Sequence, residues 1–547
     1  MTTQTTAQPQ PGATTDDSPR GTGFGGLLRA EWTKFRSVRG WVIGMLLAVV
    51  LMVFIGVFAA ANSSIGCQIN GGPPKTGKAC VPAIPHGPGG EVVSDSFSFV
   101  HQPLTGNGSI TARVTSMTGE HADLTGRPVQ VGNGPGMVPG LAPWSKAGII
   151  IKQGTRPGSA YAAMMVTGLN GVRMQYDYTQ DTPGMPGKVS AARPRWLRLT
   201  RSGDTITGYD SADGVHWTRV GTARLSGLPA TVRIGMFATS PGDVVTQNSF
   251  GGSSNQGGPS QATGVFDHVS LTPAVAGGTW AGTAIGGGGP AGAGPGGGPS
   301  GTPFTRAGGT FTVTGSGDIA PVTPGPGSGY PTVTVEQSLA GAFLGLIAIV
   351  VVAAMFFTAE YRRGLIRTTL AATPRRGAVL AAKAVVIGAV AFVTGLIAAV
   401  ISVAVGVPKE ENQGQVLLTV PALTEARVIV GTAAVLAVAA VFAIALGAVL
   451  RRSAAAITVA VVTVVLPFLL AGLNIVPSGV GAWLLRLTPT AGLAIQQSIP
   501  RYPQVTSVLS PVRGYYPLSP YAGFAVLCLW AAAALGLAFV LFRRRDA

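Results

Sequence analysis

The sequence predicts an α-helical membrane domain of six transmembrane helices, with an extracellular all-β sandwich inserted between helices 1 and 2. Three observations lead to this prediction: six long apolar stretches, a polar interval at residues 62–336 after the first stretch, and short alternating segments within that interval. The 547-residue chain has a mean hydropathy of +0.40 and 46% apolar residues, but only 11% charged residues. This composition excludes an ordinary soluble globular protein.

A bilayer core requires roughly 20 apolar residues per helix. Six stretches meet this requirement, and none of them contains Asp, Glu, Lys, Arg or His. They are residues 41–61, 337–357, 384–407, 428–450, 454–476 and 521–542. Because ion-coupled and proton-coupled carriers usually keep ionisable residues at membrane depth, the uncharged spans argue against that class of transporter.

Lys and Arg flank the six spans unevenly, and this asymmetry predicts the orientation. Basic residues are dense before the first span, in residues 358–383, between the fourth and fifth spans, and after the sixth. We therefore expect a multi-pass plasma-membrane protein with both termini in the cytoplasm and residues 62–336 outside. The net charge of +17 does not indicate nucleic-acid binding, because the basic residues lie beside apolar segments and form no stripe.

Two processing signals compete with an uncleaved first span. Residues 59–61 are three alanines, as at a signal-peptide cleavage site, and residues 64–67 resemble a lipoprotein box with Ser64 in place of Leu. The apolar run is long enough to cross the bilayer, which favours an uncleaved anchor. Residues 1–26 before it are predicted to be a disordered cytoplasmic tail.

Composition divides the interval between the first two spans. Residues 62–91 are a Gly/Pro-rich extracellular loop, and residues 92–272 contain short strands separated by turns. In residues 109–116, for example, Ile110, Ala112 and Val114 alternate with polar residues, which is typical of a half-buried strand. Strands at this spacing predict an antiparallel β-sandwich over 92–272. Residues 273–336 are predicted to be a Gly/Pro-rich extracellular linker with one further strand near 309–320.

The blocks at residues 94–100, 104–114, 147–152, 196–201, 209–217 and 266–271 resemble the concanavalin-type jelly-roll family, in its "regulation of enolase protein" branch. The resemblance implies two packed sheets in a lectin-like fold often used to bind glycans. Glycosidase chemistry needs a pair of carboxylates, and the strands carry no Glu-x-Asp-x-Glu pattern. Trp144 and Trp217 are the candidate glycan contacts. A core position is the alternative for both, and it is the better expectation for Trp196 and Trp217.

The cysteines and histidines give few further sites. If residues 62–91 are extracellular, a disulfide between Cys67 and Cys80 is expected, and the alternative is two free thiols. No metal site is predicted, because the five histidines show no metal-ligand spacing. They are His86, His101, His121, His216 and His268.

Two segments predicted to be cytoplasmic carry more information. Residues 27–40 place Leu28, Trp32 and Phe35 near one face of a basic amphipathic helix, which we expect at the inner membrane surface. The loop at residues 358–383 contains Glu360 and Pro374 besides its basic residues, and a simple positive-inside anchor does not require them. That simpler role stays open for Arg375, Arg376 and Lys383.

Together these two segments resemble the permease subunit of type-2 ABC exporters, in its actinobacterial form. The resemblance implies an interface helix at 27–40 and a coupling loop at 358–383 that contact a separate ATPase. Glu360, Gly364, Pro374 and Arg376 fall on the family's coupling pattern, while Leu365 replaces a Thr. The coupling residues implied are Trp32, Lys34, Glu360, Arg362, Arg363, Gly364, Arg367, Pro374 and Arg376.

The leading hypothesis is a permease that exports an apolar or amphipathic substrate with ATP hydrolysed by a partner. The chain itself shows no catalytic motif: residues 72–79 nearly match a phosphate loop, but Ala79 replaces the Ser or Thr that holds magnesium. No cofactor is therefore expected on this chain, and ATP and magnesium are expected on the ATPase. Further expected partners are a second permease copy, membrane lipid and cell-wall glycan. The alternative is a membrane-anchored protein that binds or senses cell-wall glycan.

Overall fold

The computed structural model describes residues 23–67, 75–81, 83–123, 136–249, 252–273, 278–287, 304–325, 330–362, 364, 375–473, 475–506 and 510–544. Most of the predicted N-terminal tail lies outside these residues. So do the predicted coupling residues Arg363, Arg367 and Pro374, and the side chain of Arg362.

The α-helices in these ranges are α1 (Phe24–Ser37), α2 (Arg39–Ala61), α3 (Ala342–Arg362), α4 (Arg376–Asn412), α5 (Ala422–Leu450), α6 (Ser453–Val464), α7 (Leu466–Gly472), α8 (Ser478–Leu487) and α9 (Pro520–Arg544). Six helical segments are long and apolar enough to cross a membrane, with α6 and α7 together forming one of them. These six agree with the spans predicted from the sequence, so the chain is a multi-pass membrane protein.

Two spans differ from the sequence prediction in their bounds. The predicted third span, 384–407, lies inside the 37-residue helix α4, which therefore also contains Lys383 and Glu410. The predicted fifth span, 454–476, is divided at Val465. Pro467 causes this break, because its ring nitrogen cannot donate to the Thr463 carbonyl one turn earlier. The Thr490 hydroxyl donates to that carbonyl instead, at 3.2 Å.

Helix α5 lies at the centre of the bundle and contacts α3, α4 and α9. Helix α2 packs on α3 through glycines: a Cβ on Gly341 would lie 2.0 Å from the Met52 carbonyl oxygen, and one on Gly345 would lie 2.2 Å from Met52 Cγ. Small residues allow helix backbones to approach this closely. The Gly-x-x-x-Gly pair therefore serves packing within one chain.

The strands between α2 and α3 include a two-sheet sandwich and several separate two-stranded pairs. They are β1 (Gly66–Cys67), β2 (Lys75–Thr76), β3 (Val93–Asp95), β4 (Phe97–Thr105), β5 (Gly108–Ala122), β6 (Met137–Pro139), β7 (Lys146–Lys152), β8 (Tyr161–Thr167), β9 (Val172–Tyr176), β10 (Gln180–Pro183), β11 (Arg195–Ser202), β12 (Thr205–Ser211), β13 (Thr218–Arg224), β14 (Thr231–Thr239), β15 (Asp243–Ser249), β16 (Gly252–Gly258), β17 (Ser260–Thr272), β18 (Ala281–Ile285), β19 (Phe304–Ala307), β20 (Thr310–Gly315), β21 (Ile319–Pro321) and β22 (Thr332–Val333). One sheet has the order β10-β9-β8-β7-β14-β4-β18, and the other has β13-β12-β11-β5-β17-β20-β19 with β6 beside β5.

The sandwich extends beyond the predicted boundary at residue 272. Strand β18 pairs with β4 in the first sheet, and β20 pairs with β17 in the second. Phe311 and Val313 of β20 belong to the core between the sheets. Three strands of the sandwich, β18, β19 and β20, thus come from residues 273–336, where the sequence predicted a linker with one strand. Glycine and proline dominate the composition there, so the short alternating runs carry a weak pattern.

The sandwich is attached to one end of the helix bundle, which we call the sandwich end. Strand β22 pairs in parallel with β23 (Val416–Leu417), in the connection between α4 and α5. Gln504, which precedes α9, is fully buried and donates from Nε2 to the carbonyls of Tyr178 and Thr179, at 3.2 and 3.1 Å. Cys67 and Cys80 form a disulfide, and Gly77 between them contacts the carbonyl of Asn412 at the end of α4.

Candidate functional site

Four charged side chains meet where α1, α3 and α4 come together, at the end of the bundle opposite the sandwich. We call Glu31, Lys34, Glu360 and Lys383 the buried charge cluster. Lys383 Nζ is fully buried and lies 2.7 Å from Glu31 Oε2 and 2.6 Å from Glu360 Oε1. Lys34 Nζ lies 2.9 Å from Glu31 Oε1 and 3.3 Å from the same Glu360 oxygen. The two carboxylates thus bridge two ammonium groups, and the cluster has no net charge.

The cluster is enclosed on one side by aromatic rings. Lys383 Nζ lies 5.0 Å from the centroid of the Phe356 ring, a distance at which a cation is attracted to the ring face. Phe35 of α1 packs edge-on against the same ring at 6.2 Å. Exposure falls from 39% at the Lys34 side chain to 13% at Glu360, 3% at Glu31 and 0% at Lys383. Lys34 is therefore the most exposed member of the cluster, and Lys383 is the most enclosed.

The electrostatics of Lys34 follow from this placement. Burial lowers its pKa, but the hydrogen bond to Glu31 and the charge of Glu360 outweigh burial, and the pKa lies above its ordinary value. Because a buried charge that loses its partner is strongly destabilising, any displacement of α1 away from α3 and α4 carries a large cost. The cluster therefore holds the three helices together.

The structure places the predicted coupling residues differently. Lys34 and Glu360 belong to the cluster, whereas Trp32 is 48% exposed and stacks on Phe35. Gly364 has φ of +69°, a left-handed turn that favours glycine. Arg376 donates to the Phe542 carbonyl at 3.3 Å, which joins the start of α4 to the end of α9.

Sequence reasoning missed two members of the cluster, Glu31 and Lys383. Glu31 lies three residues after Leu28 and four before Phe35, so helical spacing puts it on the apolar face of α1. A carboxylate on that face is a signal that it has a buried cationic partner. The simple anchoring role does not describe Lys383, because its side chain is fully enclosed.

The tryptophans of the sandwich lie in two environments. Trp196 and Trp217 are half-buried at the outer face of the second sheet, not in the core as expected. In β11, Leu197 and Leu199 take the inward positions instead of Trp196, and Trp217 directly precedes β13. The guanidinium carbon of Arg198 lies 3.9 Å from the centroid of the Trp217 ring. Trp144 is only 8% exposed, so it presents little surface to a sugar.

Comparison with known proteins gives one family match. A family model described as "ABC-2 family transporter protein" matches residues 174–547, more than half of the chain. No curated protein matches the chain significantly. Similar solved structures include the GH43 protein BlXynB from Bacillus licheniformis, with 15% identity, a TM-score of 0.17 and 24% of each chain covered. A functionally unknown protein from Saccharomyces cerevisiae has 14% identity and a TM-score of 0.21, with 38% of this chain and 85% of that chain covered. Scytalido-glutamic peptidase has 8% identity and a TM-score of 0.23, with 42% of this chain and 100% of that chain covered. The chain thus covers about a quarter of the length of the GH43 protein, and all three TM-scores are too low to carry an argument.

Proposed function

Since the chain belongs to the ABC-2 family of transporter proteins, we propose that it is a permease subunit that exports an apolar or amphipathic substrate with ATP hydrolysed on a separate ATPase chain. The six apolar stretches predicted from the sequence contain no charged residue. This supports such a substrate, because an ion would need polar groups at membrane depth. In this proposal the buried charge cluster faces the cytoplasm, in agreement with the excess of Lys and Arg at that end.

The observation that carries the proposal is the cluster itself. It ties the amphipathic helix α1 to the end of α3 and the start of α4, which flank the loop that resembles a coupling loop. An ATPase that pushes on α1 or on this loop would move α3 and α4 together, because separating the four charges is costly. The chain's own residues thus transmit motion, whereas ATP and magnesium would be held by the partner. A second permease copy completes the proposed transporter.

The test is affinity purification of the full chain from its native membrane in mild detergent, followed by mass spectrometry of stoichiometric partners. We expect a co-purifying protein with complete nucleotide-binding motifs. After the chain is reconstituted with this protein, Glu360→Gln should uncouple ATP hydrolysis from transport. The control Arg375→Gln, at an exposed position of the same loop, should have no effect. Recovery of the chain alone, in several detergents and after crosslinking, would contradict the proposal.

A second candidate function belongs to the sandwich alone. Trp196 and Trp217 lie on the outer face of one sheet beside Arg113 and Arg198, an arrangement in which aromatic and cationic groups are available to a glycan. We expect the purified full chain to bind cell-wall glycan, and Trp217→Ala to abolish this binding while Trp144→Phe preserves it. Equal binding by both variants would refute a glycan site at this face.

A further inference from the structure

A cavity of about 1050 Å³ lies at the junction between the sandwich and the helix bundle. We call it the junction cavity. Three parts of the chain line it: residues 89–91 and 179 of the sandwich, residues 419–421, 423, 424 and 427 at the start of α5, and residues 497–502 and 516–521 before α9. It is separate from the buried charge cluster, which lies at the opposite end of the bundle.

Two arginines give the cavity a positive wall. Arg427 donates from Nη2 to the Gln497 carbonyl at 2.6 Å, while its buried Nε has no hydrogen-bond partner among the described residues. Arg501 donates to the carbonyl of Tyr516. Both guanidinium groups thus bond to neutral carbonyls, and neither forms an ion pair with a carboxylate among the described residues. A guanidinium has five donors, so both retain donors for an anion.

The lining of the cavity carries little negative charge to oppose the two arginines. Glu91 is the only carboxylate among the lining residues that the structure describes. It is folded against the turn at Gly87 and Gly89, where a Cβ would lie 2.2 and 2.5 Å from its carboxylate oxygens. Burial raises the pKa of Glu91 above its ordinary value, and two guanidinium groups line the cavity with this single carboxylate. The cavity is therefore suited to an anion.

The rim of the cavity is apolar and faces the membrane boundary. Leu423 is 87% exposed and Tyr521 is 70% exposed, and they lie in the first turns of the spanning helices α5 and α9. Side chains at this depth meet the interfacial zone of a bilayer, where tyrosine is enriched. The cavity thus offers a cationic wall next to an apolar rim at the level where lipid begins.

We propose that the junction cavity binds an amphipathic anion, with a phosphate or carboxylate head held by Arg427 and Arg501 and an acyl chain lying along Leu423 and Tyr521. Phosphate and carboxylate fit guanidinium groups bidentately, and such charge-assisted bonds are the strong ones. A role of the junction cavity in binding exported substrate rests on the proposed export function. Binding of the anion itself requires neither ATP nor a partner. The anion is either a lipid of the bilayer or a molecule that arrives from solution.

The experiment uses the full chain in nanodiscs, in a Cys528→Ser background with Leu423→Cys carrying a bimane fluorophore. Nitroxide-labelled phosphatidylglycerol and nitroxide-labelled phosphatidylcholine serve as membrane probes, and nitroxide-labelled stearate added from solution serves as the soluble probe. We expect an anionic probe to quench the bimane at about tenfold lower concentration than the zwitterionic lipid. The double variant Arg427→Gln with Arg501→Gln should remove this preference. The control variant Arg486→Gln should retain it, because the Arg486 guanidinium lies over the Trp483 ring outside the cavity.

Each outcome decides a separate point. A preference for phosphatidylglycerol alone identifies a membrane lipid as the ligand, and a preference for stearate alone identifies a soluble amphiphile. Equal quenching by all probes, or a preference that survives the double arginine variant, would overturn the site. Because the assay contains no nucleotide and no ATPase, its failure leaves the export function standing, and failure of the purification test leaves a measured binding site in place.

Discussion

Lys383 is the member of the buried charge cluster whose removal tests the coupling argument most directly. The substitution Lys383→Met retains the length of the side chain and removes its charge. It deletes the contacts of 2.7 Å to Glu31 and 2.6 Å to Glu360. Lys34 alone then faces two carboxylates, at 2.9 and 3.3 Å. A neutral cluster becomes one with an excess negative charge in an enclosed site.

The expected magnitude follows from burial. Removing one partner of a buried ion pair costs about 3–5 kcal/mol, since the remaining charge is left without compensation. Glu31 and Glu360 are 3% and 13% exposed, so water relieves this penalty only partly. The double variant Glu31→Gln with Lys383→Met restores neutrality. It should recover most of the loss, because an ion pair replaced on both sides is often close to neutral for stability.

The assay is thermal unfolding of the detergent-solubilised chain, followed by ATP-driven transport after reconstitution with the ATPase. We expect a large drop in Tm for Lys383→Met, substantial recovery in the double variant, and no change for Arg375→Gln, whose side chain is exposed. Transport should follow the same order. If Lys383→Met left the Tm unchanged, or if the double variant were less stable than either single variant, the pairing would carry none of the stability assigned to it.

Three further predictions concern packing, pH and the junction. Gly341→Ala should destabilise the bundle by about 1–3 kcal/mol, because the new Cβ would lie 2.0 Å from the Met52 carbonyl oxygen. The control is Gly536→Ala, since a Cβ on Gly536 would lie in open space. Equal Tm values for the two variants would disprove the close packing. Burial raises the pKa of Glu336 to about 7, so between its ordinary pKa and about pH 7 the folded state holds a proton that the unfolded state has released. The free energy of unfolding should therefore fall by up to about 3 kcal/mol as the pH rises through this range. Glu336→Gln should flatten the curve of Tm against pH, and an unchanged curve would show that another group causes the dependence. Gln504→Ala leaves the carbonyls of Tyr178 and Thr179 without this donor, which should lower the free energy of unfolding by about 1–3 kcal/mol. Amide hydrogen exchange in β9 and β10 should then accelerate relative to exchange in β12. Equal exchange in these strands would show that the sandwich is held without this contact.

The sequence by itself determined the membrane class, the number of spans and the division into helices and strands. Each of these depends on a local pattern: about 20 apolar residues in a row for a span, and alternation of apolar and polar residues for a strand. The bounds of α4 could not be read in this way, because Lys383 and Glu410 interrupt the apolar run although both are buried in the bundle. The strands of residues 281–315 were obscured by glycine and proline, and only pairing with β4 and β17 defines them.

Only the tertiary structure decided which charges meet. Glu31 and Lys383 are separated by 352 residues, and no spacing rule relates positions so far apart. The same holds for Arg427 and Arg501, which line one cavity because the start of α5 and the segment before α9 lie on the same side of the sandwich. The physical reason is that a buried charge is stable only beside its partner. The partner is supplied by the packing of the helices, whereas the pattern along the chain reports only whether a residue faces inward.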